Sequence, residues 1–352
     1  TGDNSRHDFD KNIPRTSHEI AAINDFVARH YFLPLSFKIT VIPSIGNHDL
    51  LCLEKEPLLV GPNRTCEALY NSWKAFIPIR SIYSFLLYGS YFVEVKKSIY
   101  VFSVNTIYFF ILNQVPDCEA VEAPGAKLLH WLDENLGLIA EQKGKVFISG
   151  HVPPIQPFYK PKCLEKFLEL LQKYHQIIHG QFYGHLHTDE FNVQLDSNNE
   201  PFGVAFMCPS LRPSHNPGFR LYEYEPLMER DDIILKDYSQ FILNLTSKPP
   251  PQGMLKQNFS NLAECIARPK VSKQNVISLK LPSFSLEYSF LSTYSLNSMK
   301  STHSESKSKV AENQWLASIK DTKLPAPFKF DTNALFKKRV CFSYSFESDW
   351  SI

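Results

Sequence analysis

Short apolar runs alternate with segments of helical periodicity from the start of the chain to about residue 245. The apolar runs predict strands at residues 37–45, 91–95, 98–104, 145–149, 176–183, 190–195, 203–208, 219–225 and 233–245. The helical periodicity predicts helices at residues 17–30, 66–76, 126–141 and 164–174. Strands that alternate with helices in this way predict an α/β fold, in which helices are layered over a mixed sheet.

The longest apolar stretch, residues 98–112, is interrupted by Asn105. It is shorter than the roughly 20 residues that a membrane-spanning helix needs. We therefore interpret it as paired core strands.

The pattern changes after residue 245. A proline run at residues 248–251 (KPPP) has the composition of a linker, and residues 283–310 are rich in serine. We therefore divide the chain into a catalytic domain at residues 1–245 and a C-terminal extension at 246–352. The extension is expected to be partly disordered, with its aromatic segment 325–350 folding back on the domain.

Four short polar motifs stand at the ends of apolar runs. They are residues 1–8 (TGDNSRHD), 46–49 (GNHD), 150–154 (GHVPP) and 184–187 (GHLH). Divalent Mn, Mg, Co, Fe or Zn ions accept mixed oxygen and imidazole ligands. Two such ions about 3.5–4 Å apart can clamp a phosphoryl group and generate a hydroxide for in-line attack. One Gly-His pair would indicate little, but the four motifs in this order predict a two-metal hydrolase.

The set and order of these motifs resemble the calcineurin-like metallophosphoesterase superfamily. The first and third motifs, together with residues 216–220 (NPGFR), resemble its acid sphingomyelinase-like branch. Within that branch the chain is most similar to fungal endopolyphosphatases, on the stretches 1–16, 104–110, 124–132, 150–154, 163–166 and 183–191. The resemblance extends over about residues 1–225.

The resemblance implies a fold of two mixed β-sheets sandwiched between outer helices, with the metals at the sheet edge. The chain opens at the second motif of the superfamily series. We therefore expect a truncated domain that lacks the first strand and the first motif, Asp-x-His.

The resemblance also implies roles for individual residues. Asp3 resembles the carboxylate that bridges the two metals; Asn47, His151 and His185 resemble ligands of one ion, and His187 resembles a ligand of the other. His48 and His7 resemble the catalytic pair that contacts the phosphate and protonates the leaving oxygen, a task suited to imidazole near neutral pH. Asp49 or Asp8 either orients one of these histidines or only caps a loop or helix.

The function implied by the resemblance is hydrolysis of internal phosphoanhydride bonds in inorganic polyphosphate, with two divalent metal ions as cofactors. One alternative is a sphingomyelinase-like phosphodiesterase that uses the same metals on a different substrate. A second alternative is a metallophosphoesterase-like scaffold that has lost catalysis, which the absence of Asp-x-His would favour.

Net charge is +1 over 352 residues, which gives no global electrostatic reason to expect a nucleic acid or an anionic membrane as partner. A polyanionic substrate would instead be held by local basic groups. Arg6, inside the first motif of this chain, is the residue we expect to bind substrate. Further candidates, for which an ordinary surface role is the simpler interpretation, are Arg15, Lys160, Lys162, Arg212 and Arg220.

The seven cysteines show no metal-binding spacing, and Cys52 and Cys66 could be bridged. Sequons at Asn63, Asn244 and Asn258 are compatible with a glycoprotein on a secretory route. The resemblance implies the lumenal side of the vacuole, with a membrane anchor near the N-terminus of the full-length protein. That anchor is expected upstream of this chain.

Overall fold

The computed structural model describes residues 1–7, 16–50, 64–211, 217–227, 232–242, 255–258 and 339–341. The α-helices in these ranges are α1 (Ser17–Val27), α2 (Leu33–Ser36), α3 (Arg64–Trp73), α4 (Ile82–Tyr88), α5 (Pro124–Glu141) and α6 (Pro161–Lys173). A π-helical segment (Ala28–Phe32) joins α1 to α2. Short 3₁₀ turns occur at Asn47–Asp49, Ile79–Ser81 and Thr106–Tyr108.

The strands form two sheets. They are β1 (Tyr91–Lys96), β2 (Ile99–Ser103), β3 (Lys145–Ser149), β4 (Ile178–Tyr183), β5 (Glu190–Leu195), β6 (Pro201–Met207), β7 (Gly218–Leu227), β8 (Asp232–Ile242), β9 (Leu255–Asn258) and β10 (Arg339–Cys341). The first sheet has the order β1-β2-β3-β4-β6-β5 and is mixed, with β2, β3, β4 and β6 parallel. The second sheet, β10-β7-β8-β9, is antiparallel throughout rather than mixed: β7, β8 and β9 follow one another along the chain, and β10 adds to β7 from the C-terminal region.

Alternation of side chains along the buried strands builds two cores. In β2, Phe102 packs with the helices, while Val101 faces the second sheet; in β3, Ile148 and Phe147 divide in the same way. This period of two is expected for strands covered on both faces. The molecule therefore has three layers: helices, the mixed sheet and the antiparallel sheet.

Local signals in the sequence set the helix starts. Thr16 caps α1, because its hydroxyl accepts a hydrogen bond from the backbone N–H of Glu19 at 3.1 Å. Prolines occupy the first position of α5 and α6, where the missing N–H costs nothing. The first turn of α6 is capped by Asp117, whose carboxylate accepts from the backbone of Lys162 and Cys163.

Most predicted elements are confirmed to within a few residues, but the strand predicted at 37–45 is wrong. Residues 37–39 form a turn and residues 40–45 an irregular extended segment. Pro43 lacks an N–H for a ladder, and its carbonyl instead accepts hydrogen bonds from the hydroxyls of Tyr91 and Ser103 at 2.8 and 2.9 Å. Side-chain hydrogen bonds thus hold this apolar segment against the sheet edge.

The expectation of paired strands over 98–112 is also wrong in its second half. Strand β2 ends at Ser103, and the chain then makes a 3₁₀ turn, for which Asn105 acts as the cap by accepting from Ile107 N–H. No helix within the described ranges combines the length and apolar character needed to cross a bilayer.

The structure contains one disulfide that the sequence did not predict. A disulfide joins Cys118 to Cys163 and ties the loop before α5 to the start of α6. The Cys52–Cys66 pairing stays a prediction, because Cys52 lies outside the described residues. The domain boundary at residue 245 also lies outside them and stays a prediction, although β9 and β10 place two short pieces of the C-terminal region on the second sheet.

Candidate metal centre

The four motifs come together at one edge of the mixed sheet. Gly150 and His151 directly follow β3, and Gly184 to His187 directly follow β4, its parallel neighbour. Because parallel strands end at the same edge, their loops are adjacent, which is where sites in α/β proteins form. The segments 1–7 and 46–49 pack against these loops, so that every predicted ligand lies in one buried or half-buried cluster.

Carboxylate, amide and imidazole atoms converge at the centre of this cluster. Asp3 Oδ2 lies 2.9 Å from His151 Nε2 and 3.0 Å from His7 Nε2. Asn47 Oδ1 lies 2.8 Å from the same His151 nitrogen. It also lies 3.0 Å from His185 Nδ1. The structure thus brings together the carboxylate predicted to bridge the two ions and all three residues predicted to hold one of them.

The proton positions at this centre favour a cation. His151 Nδ1 is 2.7 Å from the carbonyl oxygen of Thr1. A carbonyl only accepts, so Nδ1 carries a proton, and Nε2 is the ring atom that faces Asp3 Oδ2 and Asn47 Oδ1. If the ring carries no second proton, three lone pairs converge at this point. Converging lone pairs repel one another unless a cation or a proton lies between them.

The buried carboxylate leads to the same conclusion. Asp3 Oδ2 is buried and takes part in no hydrogen bond of standard geometry, despite its two close imidazoles. Burial raises the pKa of Asp3, but nearby imidazoles, with His151 foremost, outweigh burial and hold that pKa well below its usual range. The donor set of one carboxylate, one amide oxygen and imidazoles therefore fits a divalent ion, whose charge would take the place of ring protons beside the carboxylate.

The loop after β4 presents two of the histidines. Burial, and after it the neighbouring His151, lower the pKa of His185 to about 3, so that the ring is neutral and available as a ligand. His187 lies beside His7, with ring centroids 5.5 Å apart. Both loop histidines have positive φ angles, 68° and 57°, and Asp3 has 65°. Such angles are uncommon in residues other than glycine and concentrate at functional sites.

The two predicted catalytic histidines are stacked against each other. The rings of His7 and His48 lie 3.4 Å apart at an interplanar angle of 12°. Asp3 holds both segments, because its Oδ1 accepts the backbone N–H of His48 at 2.7 Å while its Oδ2 faces His7 Nε2. His7 Nδ1 contacts the carbonyl of Ser5 at 3.2 Å. Asp3 and the Ser5 carbonyl thus hold the two stacked rings beside the cluster of predicted ligands.

Basic groups are less available than the sequence suggested. Arg6 is buried, and its Nε lies 3.3 Å from a carboxylate oxygen of Glu19 in the first turn of α1. Arg220 is fully buried and pairs with Asp189, so its expected surface role is wrong. Lys160 is also buried and donates to the carbonyl of Phe110 at 3.0 Å. Lys162 is exposed, as the simpler interpretation expected, and Arg15 and Arg212 lie outside the described residues.

The contacts of Asp49 show whether it orients a histidine or caps a loop. Its carboxylate accepts the backbone N–H groups of Asp3, Asn4 and Gly46, at 2.7, 2.9 and 3.0 Å, rather than a histidine ring. It is therefore a loop cap, and it clamps the first two motifs together. The backbone of Gly46 lies so close to Asp3 that a Cβ at position 46 would overlap the Asp3 carboxylate. Asp8, the other candidate, lies outside the described residues.

Sequence reasoning missed three residues that support the site. Asn24, fully buried on α1, donates to Asp49 Oδ1 at 3.2 Å and to Ile20 O at 3.0 Å. The hydroxyl of Thr106 accepts the backbone N–H groups of His151 and Val152 at 3.2 and 2.9 Å. The Thr1 carbonyl orients His151. Only Thr106 had a usable signal, as a polar residue directly after an apolar run.

A comparison with protein families identifies the class to which this site belongs. The model of the calcineurin-like phosphoesterase family matches residues 1–189, more than half of the chain. The chain therefore belongs to the calcineurin-like phosphoesterase family and has its fold.

Curated relatives carry more specific names. The chain is 37% identical over 202 residues to an endopolyphosphatase of Kluyveromyces lactis, which covers 54% of the chain and 29% of that relative. It is 32% identical over 320 residues to an endopolyphosphatase of Yarrowia lipolytica, covering 80% of the chain and 41% of the relative. It is 35% identical over 230 residues to sphingomyelinase phosphodiesterase C of Dictyostelium discoideum, covering 59% and 49%. The chain thus spans less than half the length of these relatives.

Proposed function

We propose that the chain carries the catalytic centre of a metal-dependent phosphoric ester or anhydride hydrolase. The observation that carries this proposal is the convergence of acceptor atoms on Asp3 Oδ2. Asp3, Asn47, His151 and His185 would hold one divalent ion, and Asp3 and His187 would contribute to a second. When bound, such ions polarise phosphoryl oxygens and lower the pKa of water so that it can attack phosphorus.

The remaining residues of the centre position the substrate and move a proton. His48 and His7 are stacked beside the bridging carboxylate, within reach of a phosphoryl group placed at the centre. In this proposal one of the two rings protonates the leaving oxygen and the other holds a phosphoryl oxygen by a hydrogen bond. Arg6 contributes positive charge at the base of the same loop, restrained by Glu19. Burial of the centre strengthens each of these interactions.

The substrate we propose is inorganic polyphosphate, cleaved at internal phosphoanhydride bonds. Support comes from the relatives named endopolyphosphatase, which are 37% and 32% identical to this chain. Because the net charge of the chain is near neutral, the surface as a whole would attract this polyanion only weakly. Recognition would therefore depend on groups at the centre.

A second candidate is hydrolysis of a phosphodiester that carries an apolar group. Phe110 and Phe158 contact the His185 ring edge-on, with centroids 5.1 and 5.3 Å away. The chain continues from Phe110 into Ile111 and Leu112, which are 45% and 63% exposed. This apolar wall beside the metal centre suits an organic substituent better than a polyphosphate chain, and the Dictyostelium relative is named for such a substrate.

We further propose an oxidising compartment, with the vacuolar lumen as the expected one. The Cys118–Cys163 disulfide supports this location, because disulfides persist in secretory and lumenal compartments and are rare in the cytosol. Glycosylation at the three sequons and a membrane anchor upstream of the chain belong to the same proposal.

The test is to incubate the protein with long-chain polyphosphate and Mn²⁺ or Co²⁺, and to size the products on a gel. The protein is assayed as the 352-residue chain and as a fusion whose added N-terminal segment supplies an Asp-x-His motif. Early products of intermediate length, lost in His48→Ala, are the expected result. Intact polyphosphate together with cleavage of a phosphodiester would transfer the assignment to the second candidate. Inactivity of both forms on both substrates would refute the enzymatic proposal.

A further inference from the structure

A fully buried arginine lies between the two sheets, next to the metal centre. Arg220 on β7 has no solvent exposure and lies directly opposite Gln240 on β8 in the strand register. Its guanidinium donates to Asp189 Oδ1, to the side-chain oxygen of Gln240 and, at 3.2 Å, to the hydroxyl of Tyr222. The same group stacks over the ring of Tyr238 at 4.6 Å. Each of the three guanidinium nitrogens therefore has a hydrogen-bond acceptor.

This arrangement fixes the carboxylate of Asp189 at both oxygens. Arg220 donates to Oδ1, and the amide of Gln240 donates to Oδ2. Because Gln240 turns its oxygen to Arg220, its N–H group must point to Asp189. Asp189 can rotate only by breaking one of these contacts.

Asp189 is two residues after His187 and four after His185. Both histidines have left-handed backbone angles, which persist only where the surroundings over-determine them. At the other end of the loop, the backbone N–H of Gly184 donates to the carbonyl of His151 at 2.9 Å. The histidine loop is thus anchored at its start by the strand β3 motif and at its end by Asp189.

We propose that Asp189, Arg220 and Gln240 are positioning residues that set the geometry of His185 and His187 for metal binding. A buried ion pair is a weak source of stability compared with apolar residues of similar volume. Its directional hydrogen bonds, however, define orientation in a way that apolar contacts cannot. This inference rests on the proposed metal centre. It means that the second sheet, through Arg220 and Gln240, helps to orient the histidine loop.

The experiment compares Mn²⁺ binding by calorimetry in the 352-residue chain and three variants. Asp189→Asn keeps the shape but removes the charge that holds Arg220, and we expect Mn²⁺ affinity to fall by about 10–100-fold. The matched control is Glu225→Gln, which breaks a 3.0 Å ion pair with Lys236 on the same two strands, away from the histidine loop. This control is expected to leave affinity unchanged.

The third variant separates positioning from folding. The double change Asp189→Leu with Arg220→Met replaces the buried pair by apolar side chains, which is expected to preserve the melting temperature. We expect this variant to bind Mn²⁺ as weakly as Asp189→Asn. Wild-type affinity in either Asp189 variant would overturn the proposal.

A metal-free measurement distinguishes failure of this inference from failure of the proposed function. In NMR spectra of histidine-labelled protein without metal, the imidazole signals of His185 and His187 are expected to shift in Asp189→Asn and not in Glu225→Gln. If the wild type binds no Mn²⁺ but these signals shift, the positioning role stands and the metal proposal fails. Unchanged imidazole signals would refute the positioning role.

Discussion

Replacing Asp49 by asparagine tests whether one buried carboxylate holds the first two motifs together. Asp49 has no solvent exposure, and its Oδ2 accepts the backbone N–H groups of Asp3 and Gly46, while its Oδ1 accepts that of Asn4. Asparagine offers one acceptor oxygen. If that oxygen takes the Oδ2 position, the new NH₂ group faces the backbone N–H of Asn4 and the side-chain amide of Asn24. Asn24 still donates to the carbonyl of Ile20, but the buried N–H of Asn4 is left unpaired.

The expected cost follows from these contacts. An unpaired buried N–H costs about 1–3 kcal/mol, and the two retained hydrogen bonds each lose about 1 kcal/mol when the acceptor becomes neutral. An opposing effect reduces the total. Burial and the charge of Asp3 raise the pKa of Asp49, so the buried charge is itself unfavourable and the neutral amide avoids it. We therefore expect Asp49→Asn to lower the free energy of unfolding by about 2–4 kcal/mol.

Urea unfolding at neutral pH, followed by circular dichroism, measures this change. Asp133→Asn is the matched control, since Asp133 is a half-exposed carboxylate on α5 that accepts from Lys173 and Tyr174 at 2.6 and 2.7 Å. A surface pair of this kind contributes at most about 1 kcal/mol. Mn²⁺ affinity is expected to fall in Asp49→Asn alone, because Asp3 loses its anchor. An unchanged unfolding midpoint in Asp49→Asn would refute the clamp.

Four further outcomes are expected. His48→Ala lowers kcat for phosphoryl hydrolysis by about 10²–10⁴-fold with little effect on Mn²⁺ affinity, as measured by initial rates and calorimetry. Gly46→Ala abolishes Mn²⁺ binding in the same calorimetric assay, because its Cβ would displace the Asp3 carboxylate. Reduction of the Cys118–Cys163 disulfide, which closes a loop 45 residues long, lowers the free energy of unfolding by about 2–4 kcal/mol in denaturant titrations with and without reductant. Burial lowers the pKa of Lys160 from 10.5 to about 8, so the buried charge destabilises the fold most below pH 8. As pH rises from about 8 to 10.5, the free energy of unfolding of the wild type is therefore expected to increase relative to that of Lys160→Met, as measured by unfolding titrations.

The sequence predicted which residues come together better than it predicted the scaffold around the first motifs. Two of the motif loops directly follow strands β3 and β4, because the polar residues after a buried apolar run lie in a loop at the end of the sheet. The strand predicted at 37–45 failed because apolar content indicates burial but not ladder pairing, and Pro43 is held by side-chain hydrogen bonds.

Partners distant in sequence were beyond the reach of local patterns. The Cys118–Cys163 bridge and the contact between Asp189 and Arg220 depend on how the layers stack, and no spacing rule connects those positions. Arg220 carried the sequence signal of an ordinary surface cation, since arginine side chains are mostly exposed. Only the position of the second sheet reveals that this charge lies inside the protein.

The contact between His151 and the Thr1 carbonyl determines which kinds of substitution can alter the site. A side-chain acceptor would allow one substitution to reverse the tautomer of the ring and disable the ligand. A main-chain acceptor is the same for every amino acid at position 1, so the protonation pattern of His151 is insensitive to the identity of that residue. It is sensitive instead to the path of the backbone. A change that moves the first loop by an ångström, wherever in the fold it arises, would therefore act on the chemistry of the centre more strongly than a side-chain replacement at residue 1.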